Sequence, residues 1–374
     1  MIEIATITFH RACNYGAFLQ AYALQEVLNQ HELVKAYIID YRSKTIEQRY
    51  DPLFIINKRG HFIKKIIKYI LEYSCIKKKN DIFEKARERH FLIKDKNVTR
   101  ECLYQIYMNY QGVVTGSDQV WNRDIIGNDN SYFLDFVKEP VKKYSYSASI
   151  GSEEVTEEQL KDIVDMLSDF QKISLREPDL IPLLNQQMEN LMVKETMDPI
   201  FLLDRSRWYE FAKYEERNKY VLFFMMGQSQ TAVPAMNFAK KIAAKNGCEL
   251  LFLSDNEKWY KYRELVHFGI ASPEEFVGLI AHAECVVTNS FHATAFSIML
   301  HKEFWVETEV LRNNRILNLL KICGMEARGL RKGKRAGGDL AINWNQVDSR
   351  IQPFIQNSRE YLQEIIAALN ESEK

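Results

Sequence analysis

The sequence predicts an α/β protein with two Rossmann-like domains. Its 374 residues exceed the length at which a single hydrophobic core usually keeps growing. Short apolar segments rich in β-branched residues alternate with segments of helical periodicity over 2–41 and again over 220–300. This alternation is typical of parallel sheets covered by helices. We therefore predict an N-terminal domain over 1–204, a C-terminal domain over 205–346 and a terminal helix over 347–374 that packs back on the first domain.

The first half begins with a strand–helix–strand unit, which implies a parallel sheet. Its hydrophobic patterns predict strands at 2–8, 36–41, 112–118, 143–149 and 172–176. They also predict helices at 16–30 and 157–170, and Thr156 with Gln159 gives the second of these a capping box. Residues 45–110 are mostly helical in pattern, so we expect a helical insertion between strands.

The second half repeats the alternation of strand and helix. Its predicted strands are 220–226, 248–254 and 284–290, and its predicted helices are 231–246, 273–282, 292–300 and 347–370. Ser272, Pro273 and Glu275 supply an N-cap, a first-turn proline and a capping glutamate for one of them. Two such halves with a long terminal helix suggest a GT-B-like architecture, with the active site in the cleft between the halves at the carboxyl ends of the strands.

Composition and charge exclude several classes of function. The 50 Lys and Arg residues balance the 50 Asp and Glu residues, so no overall field attracts nucleic acid. The 6 cysteines lie far apart without zinc-ligand spacing, which indicates unpaired thiols in a reducing compartment and no metal site. The start of the chain lacks the character of a signal peptide, and no segment is long and apolar enough to span a membrane. These features predict a cytoplasmic protein.

Polar residues follow four of the predicted strands, and the first such junction is HRACNYGAF at 10–18. Asn14 is a favourable N-cap, and Gly16 leaves the backbone open to a ligand. A helix N-terminus with free N–H groups suits a phosphate or carboxylate. His10 precedes the helix and is a candidate for lining the same site. The alternative interpretation is that Asn14 is only a cap.

The second junction is TGSDQVWN at 115–122. Ser117, Asp118 and Gln119 follow an apolar strand, and small residues with a carboxylate at a strand's carboxyl end fit a sugar-binding or acid–base site. The alternative is a helix cap formed by Ser117 or Asp118, with Trp121 packed in the core.

The third junction is SLRE at 174–177, where Arg176 ends an apolar strand and Pro178 starts the following helix. The guanidinium fork of an arginine suits bidentate binding of a carboxylate or phosphate. The alternative is a surface pair of Arg176 with Glu177, which would contribute little to stability.

The fourth junction is VVTNSFHATAF at 286–296, where Ser290 lies at a strand end and His292 enters a helix rich in small residues. Histidine is the side chain best suited to proton transfer near neutral pH. A lone histidine is more often structural, but this one is predicted to face the cleft.

The four junctions in order resemble the polysaccharide pyruvyl transferase family, and the common nucleotide-binding and hydrolase fingerprints are absent. The chain departs from the family at Ala293, where the family usually has glycine after the histidine. The matching segments are NYGAFLQAYALQ (14–25), TGSDQVWN (115–122), YSYSASIG (144–151), SLRE (174–177), DPIFLL (198–203), SPEEFVGLIAHAECVVTNSFHATAFSIML (272–300) and NNRILNLLKICGM (313–325).

The resemblance implies a GT-B-like fold, phosphoenolpyruvate as donor and a sugar diol as acceptor, with pyruvate attached as a cyclic ketal and no metal or further cofactor. Acceptors in the family include units of surface polysaccharides, some of them attached to a lipid carrier. By match of motif, His292 is the catalytic histidine and Arg176 a donor-binding arginine. The remaining expected site residues are Asp118 as a base, Asn14, Gly16 and Ser290 for the donor, and Ser117, Gln119 and His10 for the acceptor.

Two other functions remain open on the sequence. One is a GT-B glycosyltransferase that uses a nucleotide sugar, since the fold is shared between the two activities. The other is a non-catalytic sugar-binding protein that kept the fold. The presence of both Arg176 and His292 argues against the second.

Residues 58–79 form a basic amphipathic segment, with apolar residues at helical spacing and a single acid, Glu72. Such a helix is typical of elements that bind a membrane surface. The alternative is a stripe that packs on the first domain beneath solvated lysines, as in most soluble enzymes. A lipid-linked acceptor would give the membrane interpretation a function.

Overall fold

The computed structural model describes residues 1–51, 53, 66–151, 154–188, 191–227, 232–254, 266–309, 314–335 and 341–371. The chain divides into two compact units. Unit 1 comprises Met1–Asp51, Arg87–Leu203 and Pro353–Lys374, and unit 2 comprises Pro52–Ala86 and Asp204–Gln352. The first part of the predicted membrane-binding segment, 58–65, lies outside the described residues.

Unit 1 is built on parallel strands. They are β1 (Ile2–Ile7), β2 (Val34–Ile38), β3 (Gly112–Thr115), β4 (Lys143–Ser145), β5 (Ile173–Leu175) and β6 (Val193–Glu195). Four of them pair in the order β2-β1-β3-β4, and β5 pairs with β6. Single bridges, Tyr144 to Lys172 and Ala148 to Leu175, connect β4 with β5. The strand order reverses between β1 and β3, and such a switch point is where ligands bind in open α/β sheets.

Helices cover the strands of unit 1. Those from the first half of the chain are α1 (Tyr15–Asn29), α2 (Lys44–Tyr50), the end of α3 (Ile66–His90), α4 (Arg100–Ile106), α5 (Arg123–Ile126), α6 (Glu157–Leu167) and α7 (Ile181–Gln187). The part of α3 before Arg87 belongs to unit 2. Helix α1 is buried along most of its length, as expected for a helix that packs directly on a parallel sheet. Trp121 is fully buried and stacks on Phe133 with ring centroids 5.5 Å apart, so its predicted place in the core is confirmed.

The terminal helix α13 (Trp344–Glu371) contributes its second part to unit 1. The hydroxyl of Tyr361 donates to the Ser145 carbonyl at 2.9 Å, at the end of β4. Leu369 packs where a Cβ on Gly112 would stand 2.7 Å from its Cδ1, so a glycine in β3 makes room for the helix. These contacts place the helix against the strands of unit 1.

The described residues of unit 2 form a sheet of seven strands in the order β13-β12-β11-β10-β7-β8-β9. Neighbouring strands are parallel, except that β12 and β13 are antiparallel. The strands are β7 (Tyr220–Met225), β8 (Glu249–Ser254), β9 (Val266–Gly269), β10 (Cys285–Thr288), β11 (Phe304–Glu307), β12 (Gly329–Arg331) and β13 (Lys334–Arg335). The helices are α8 (Arg205–Phe211), α9 (Ala232–Asn246), α10 (Pro273–Ala281), α11 (Phe291–Met299) and α12 (Asn314–Cys323). The order reverses between β7 and β10, which is the Rossmann pattern.

The predicted α/β class with two Rossmann-like units is therefore confirmed. The capping boxes predicted at Thr156 and at Ser272 are both present. Two local predictions are wrong. The strand predicted at 143–149 ends at Ser145, because Ser147 adopts a left-handed backbone with φ of 50°. Pro178 does not start a helix, since α7 begins at Ile181 after a turn.

We predict that Tyr361→Phe lowers the free energy of unfolding by about 1–3 kcal/mol, because the buried Ser145 carbonyl loses its donor. Denaturant unfolding measures this change. The matched control is Tyr209→Phe in α8, whose side chain is 45% exposed and whose loss of a hydroxyl should change stability by less than about 0.5 kcal/mol. Equal effects of the two substitutions would show that the Tyr361 hydrogen bond does not hold α13 on the sheet.

Candidate active site

At the switch point of unit 1, hydrogen bonds join the loop that follows β1 to the loop that follows β3. The hydroxyl of Thr8 donates to the Ser117 carbonyl at 2.9 Å. The amide of Gln20, in the second turn of α1, donates to the Thr8 hydroxyl at 2.9 Å. All three side chains are buried, so the two loops and the helix form one fixed polar structure.

The N-terminus of α1 starts at this switch point. Asn14 caps it, and its Oδ1 accepts from the Ala17 N–H at 3.1 Å, as predicted. Gly16 is buried in the first turn, and that turn contains no acidic residue. The positive end of the helix dipole is therefore not offset by a carboxylate of its own first turn. Contact of Asn14 and Gly16 with a donor stays a prediction.

Arg176 follows β5 and is enclosed in unit 1. Its Nη2 donates to the Ser117 hydroxyl oxygen and lies 3.0 Å from Asp198 Oδ2. Only 3% of the Arg176 side chain and none of the Asp198 side chain are exposed. The alternative of a surface pair with Glu177 is wrong, because Arg176 is buried. The Glu177 carboxylate accepts from the Ser149 hydroxyl at 2.6 Å.

Asp118 takes an unusual backbone conformation directly after β3, with φ of 83°. Its Oδ1 accepts from the Gln119 N–H at 2.8 Å, which stabilises the turn. Neither Ser117 nor Asp118 caps the next helix, since Asn122 performs that role. Left-handed residues other than glycine are uncommon and concentrate at functional sites. Asp118 is half-buried.

Gln119 lies beside Asp118 and packs under the loop that follows β4. Its Oε1 accepts from the Asn122 amide at 2.6 Å. Gly151 has a φ of 70°, and a Cβ there would stand 2.4 Å from that same Oε1. Only glycine fits such a close approach in this conformation. Gln119 is therefore fixed by its neighbours, and its predicted contact with an acceptor stays a prediction.

His10 lies inside unit 1, with no exposed surface. Its Nδ1 lies 3.2 Å from the Thr8 carbonyl, and its Nε2 lies 3.2 Å from Asp40 Oδ1. Burial lowers the pKa of the imidazole. Burial alone would raise the pKa of Asp40, but hydrogen bonds from His10 and from the Asn97 N–H outweigh it and lower that pKa to about 2. His10 thus supports the β1 loop from within, and its predicted acceptor contact stays a prediction.

The switch point of unit 2 is closed by Asn289, which follows β10. Its Oδ1 accepts from the Met226 N–H at 2.7 Å, and its Nδ2 donates to the Met226 carbonyl at 3.1 Å. Met226 follows β7, so one side chain ties together the ends of the two strands between which the order reverses.

His292 is the second residue of α11 and is 8% exposed. Ser290 caps the helix, and its hydroxyl accepts from the Ala293 N–H at 3.4 Å. The imidazole packs edge-to-face with Phe291, with ring centroids 5.1 Å apart. Ala293 is fully buried within the helix packing. The predicted position of His292, at a helix N-terminus beside a strand end, is confirmed.

The structure thus groups the predicted residues in two sets. Unit 1 holds His10, Asn14, Gly16, Ser117, Asp118, Gln119 and Arg176, and unit 2 holds Ser290 and His292. That the two sets form one active site stays a prediction. Among the described residues, no group of three or more His, Cys, Asp or Glu side chains could hold a metal ion.

Sequence reasoning missed Asp198 as a partner of Arg176. From the sequence, DPIFLL (198–203) is only a segment that matches the family, and in the structure Asp198 caps the short 3-10 helix Pro199–Leu202. The sequence carried little signal for this contact, since β6 (Val193–Glu195) has one apolar residue and is not among the predicted strands, although it pairs with β5. Adjacent parallel strands place the residues that follow them at one edge of the sheet.

Comparisons with known proteins bear on the fold and the family. A Listeria monocytogenes protein assigned as a UDP-N-acetylglucosamine 2-epimerase has a TM-score of 0.50 and 9% identity over 96% of this chain and 89% of that chain. The UDP-GlcNAc 2-epimerase of Neisseria meningitidis, solved with UDP-GlcNAc, has a TM-score of 0.49 and 9% identity over 98% of this chain and 100% of that chain. At such identities a likeness concerns the fold alone, and the likeness to the Listeria monocytogenes protein supports the predicted GT-B-like class.

In sequence, a comparison with curated proteins finds no match. The profile of one family does match, and it extends from residue 14 to residue 307. This range contains the junctions of Asn14, Asp118, Arg176 and His292. The chain belongs to the polysaccharide pyruvyl transferase family.

Proposed function

We propose that the protein transfers pyruvate from phosphoenolpyruvate to two hydroxyl groups of a sugar, as a cyclic ketal, in the synthesis of a surface polysaccharide. The family match supports this function most directly. Two further observations agree with it. A histidine lies at a helix N-terminus beside the switch point of unit 2, and a buried arginine lies at the carboxyl edge of the unit 1 strands.

The proposed reaction balances without a metal or a redox partner. A proton adds to the methylene carbon of phosphoenolpyruvate, and positive charge develops at the neighbouring carbon. One sugar hydroxyl attacks that carbon and loses its proton. The carbon–oxygen bond to phosphate then breaks, and the second hydroxyl attacks the same carbon and loses its proton. The products are the ketal and inorganic phosphate, which carries the remaining proton.

Two side chains are assigned to proton transfer. His292 delivers the proton to the methylene carbon, and general acid catalysis of this kind typically contributes about 10²–10⁴-fold in rate. Asp118 accepts a hydroxyl proton, since the residue is only half-buried and its carboxylate is oriented by the Gln119 N–H. The anionic donor requires N–H groups and positive potential, which Arg176 and the N-termini of α1 and α11 supply.

The acceptor is proposed to be a sugar unit attached to a lipid carrier, at a membrane surface. No helix of the described residues is long and apolar enough to cross a membrane. In the described part of 58–79, Lys77 and Lys78 are exposed while Ile76 is buried, so this turn of α3 presents a basic face to solvent. A basic face contributes about 1 kcal/mol per residue near an anionic leaflet.

We predict that His292→Ala lowers phosphate release from phosphoenolpyruvate by about 10²–10⁴-fold at saturating substrate, because the proton donor is lost. The assay requires a panel of sugar and lipid-linked acceptors, with inorganic phosphate as the readout. His282→Ala is the matched control in the same unit, since that side chain is exposed and should leave turnover unchanged. Wild-type turnover by a folded His292→Ala variant would contradict the assignment.

We predict that Arg176→Lys raises the KM for phosphoenolpyruvate by about tenfold or more, because lysine keeps the charge but loses the planar fork. Arg100→Lys is the control, since Arg100 forms a two-pronged pair with Asp135 elsewhere in unit 1. Steady-state kinetics at varied donor concentration measure both variants. An unchanged donor KM for Arg176→Lys would remove Arg176 from the donor site.

We predict that the protein co-sediments with vesicles of anionic lipid at low salt and is released at high salt. Replacing Lys77 and Lys78 by glutamate should weaken this binding, whereas the same change at Lys219 and Lys332, exposed lysines of unit 2, should not. Absence of binding at low salt would contradict membrane docking and leave the transfer reaction unaffected.

A further inference from the structure

Arg176 is the most enclosed cationic side chain of the candidate site, and its surroundings fix its position from three directions. Its backbone N–H donates to the Ala148 carbonyl at 2.9 Å, beyond the end of β4. Its Nη2 bonds to the Ser117 hydroxyl oxygen, beyond the end of β3. The same nitrogen lies 3.0 Å from Asp198 Oδ2, beyond the end of β6. The bond to Ala148 therefore fixes the backbone of Arg176, and two strand ends, those of β3 and β6, hold its guanidinium through Nη2.

The two side chains that contact the Arg176 guanidinium, Asp198 and Ser117, belong to segments that are themselves held by hydrogen bonds. Asp198 Oδ1 accepts from the Ile200 N–H at 3.1 Å, so the carboxylate is anchored to its own turn while Oδ2 faces the arginine. The Ser117 carbonyl accepts from Thr8, which is in turn bonded by Gln20. A guanidinium held by fixed partners loses little further freedom when a ligand binds it.

We propose that Ser117 and Asp198 are positioning residues, which orient the guanidinium of Arg176 toward the anionic donor. This inference rests on the proposed function and changes one assignment, because the sequence analysis gave Ser117 to the acceptor. An unpaired buried arginine would be costly, and Asp198 offsets that cost without moving from its turn. Ser117 then fixes the rotation of the guanidinium plane.

Unit 1 offers a matched control for both residues. Arg100 has the same set of partners, since its Nη1 donates to the Ser131 hydroxyl and its guanidinium pairs with Asp135. This second Arg–Ser–Asp set involves α4 and the segment after α5, and none of its members belongs to the candidate site. Variants that remove the contacts of Arg100 test whether weakening any arginine–carboxylate pair of unit 1 is enough to change the kinetics.

The experiment measures the KM for phosphoenolpyruvate and the KM for the acceptor separately in Ser117→Ala and Asp198→Asn. We expect each variant to raise the donor KM by about tenfold or more, as hydrogen bonds to a charged group usually contribute that much, with the acceptor KM unchanged. Ser131→Ala and Asp135→Asn should leave both constants within about twofold of wild type, since the partner they share, Arg100, is not a residue of the candidate site.

A double substitution tests whether Asp198 acts through Arg176. In an Arg176→Gln background, Asp198→Asn should raise the donor KM no further, because the group that it positions is gone. This pair also removes both buried charges together, which preserves the fold better than either change alone. If Asp198→Asn by itself does not fold, Ser117→Ala decides the outcome.

Three results would overturn the inference. Wild-type donor KM in a folded Ser117→Ala variant contradicts positioning while leaving the proposed reaction in place. A rise in the acceptor KM alone would return Ser117 to the acceptor site. Absence of phosphoenolpyruvate-dependent phosphate release by the wild-type protein would reject the proposed function, and with it this role of Ser117 and Asp198.

Discussion

The parallel direction of the strands is the constraint on which the rest of each unit depends. Parallel strands end at one edge of the sheet, and helices cover the sheet faces. Several polar side chains that follow the strands, among them Arg176 and Asp198, are buried. Such groups must bond to one another. In unit 1, Ser145 in β4, Ser174 in β5 and Thr196 after β6 are joined: Thr196 donates to the Ser174 hydroxyl at 2.8 Å, and the Ser145 hydroxyl accepts from the Ser174 N–H at 2.9 Å. Ser174 and Thr196 lie two residues before Arg176 and Asp198 along the chain.

The two units satisfy this constraint differently. Unit 2 ties its switch point with one neutral side chain, Asn289, which bonds to both backbone groups of Met226. Unit 1 instead uses charged groups, which are the buried Arg176–Asp198 pair and the buried Asp40 carboxylate beside His10. A buried ion pair seldom stabilises a protein more than well-packed apolar residues would. Their presence at the strand ends of unit 1 therefore points to chemistry at that edge rather than to stability alone.

The sequence allowed the helices and strands to be predicted, but not which side chains contact each other across the sheet. Hydrophobic periodicity and local caps depend on neighbours in the chain, so β1, α1 and the capping boxes could be predicted. The early end of β4 could not, because nothing in the sequence signals the left-handed backbone of Ser147. Asp198 is 22 positions from Arg176 and meets it only through the pairing of β5 with β6. The burial of His10 likewise required the register that brings Asp40 beside it.

The pairing of Arg176 with Asp198 also bears on how the proposed donor is recognised. A buried arginine whose charge is balanced attracts an anion from a distance only weakly, since the pair is close to neutral overall. Its contribution at contact is different, because directed N–H groups in a site of low dielectric form strong hydrogen bonds to a carboxylate or phosphate. Buried groups are also screened by salt much less than surface charges. In the proposed reaction, selectivity for phosphoenolpyruvate therefore arises from the geometry that Ser117 and Asp198 impose on one guanidinium, and not from an excess of positive charge in unit 1.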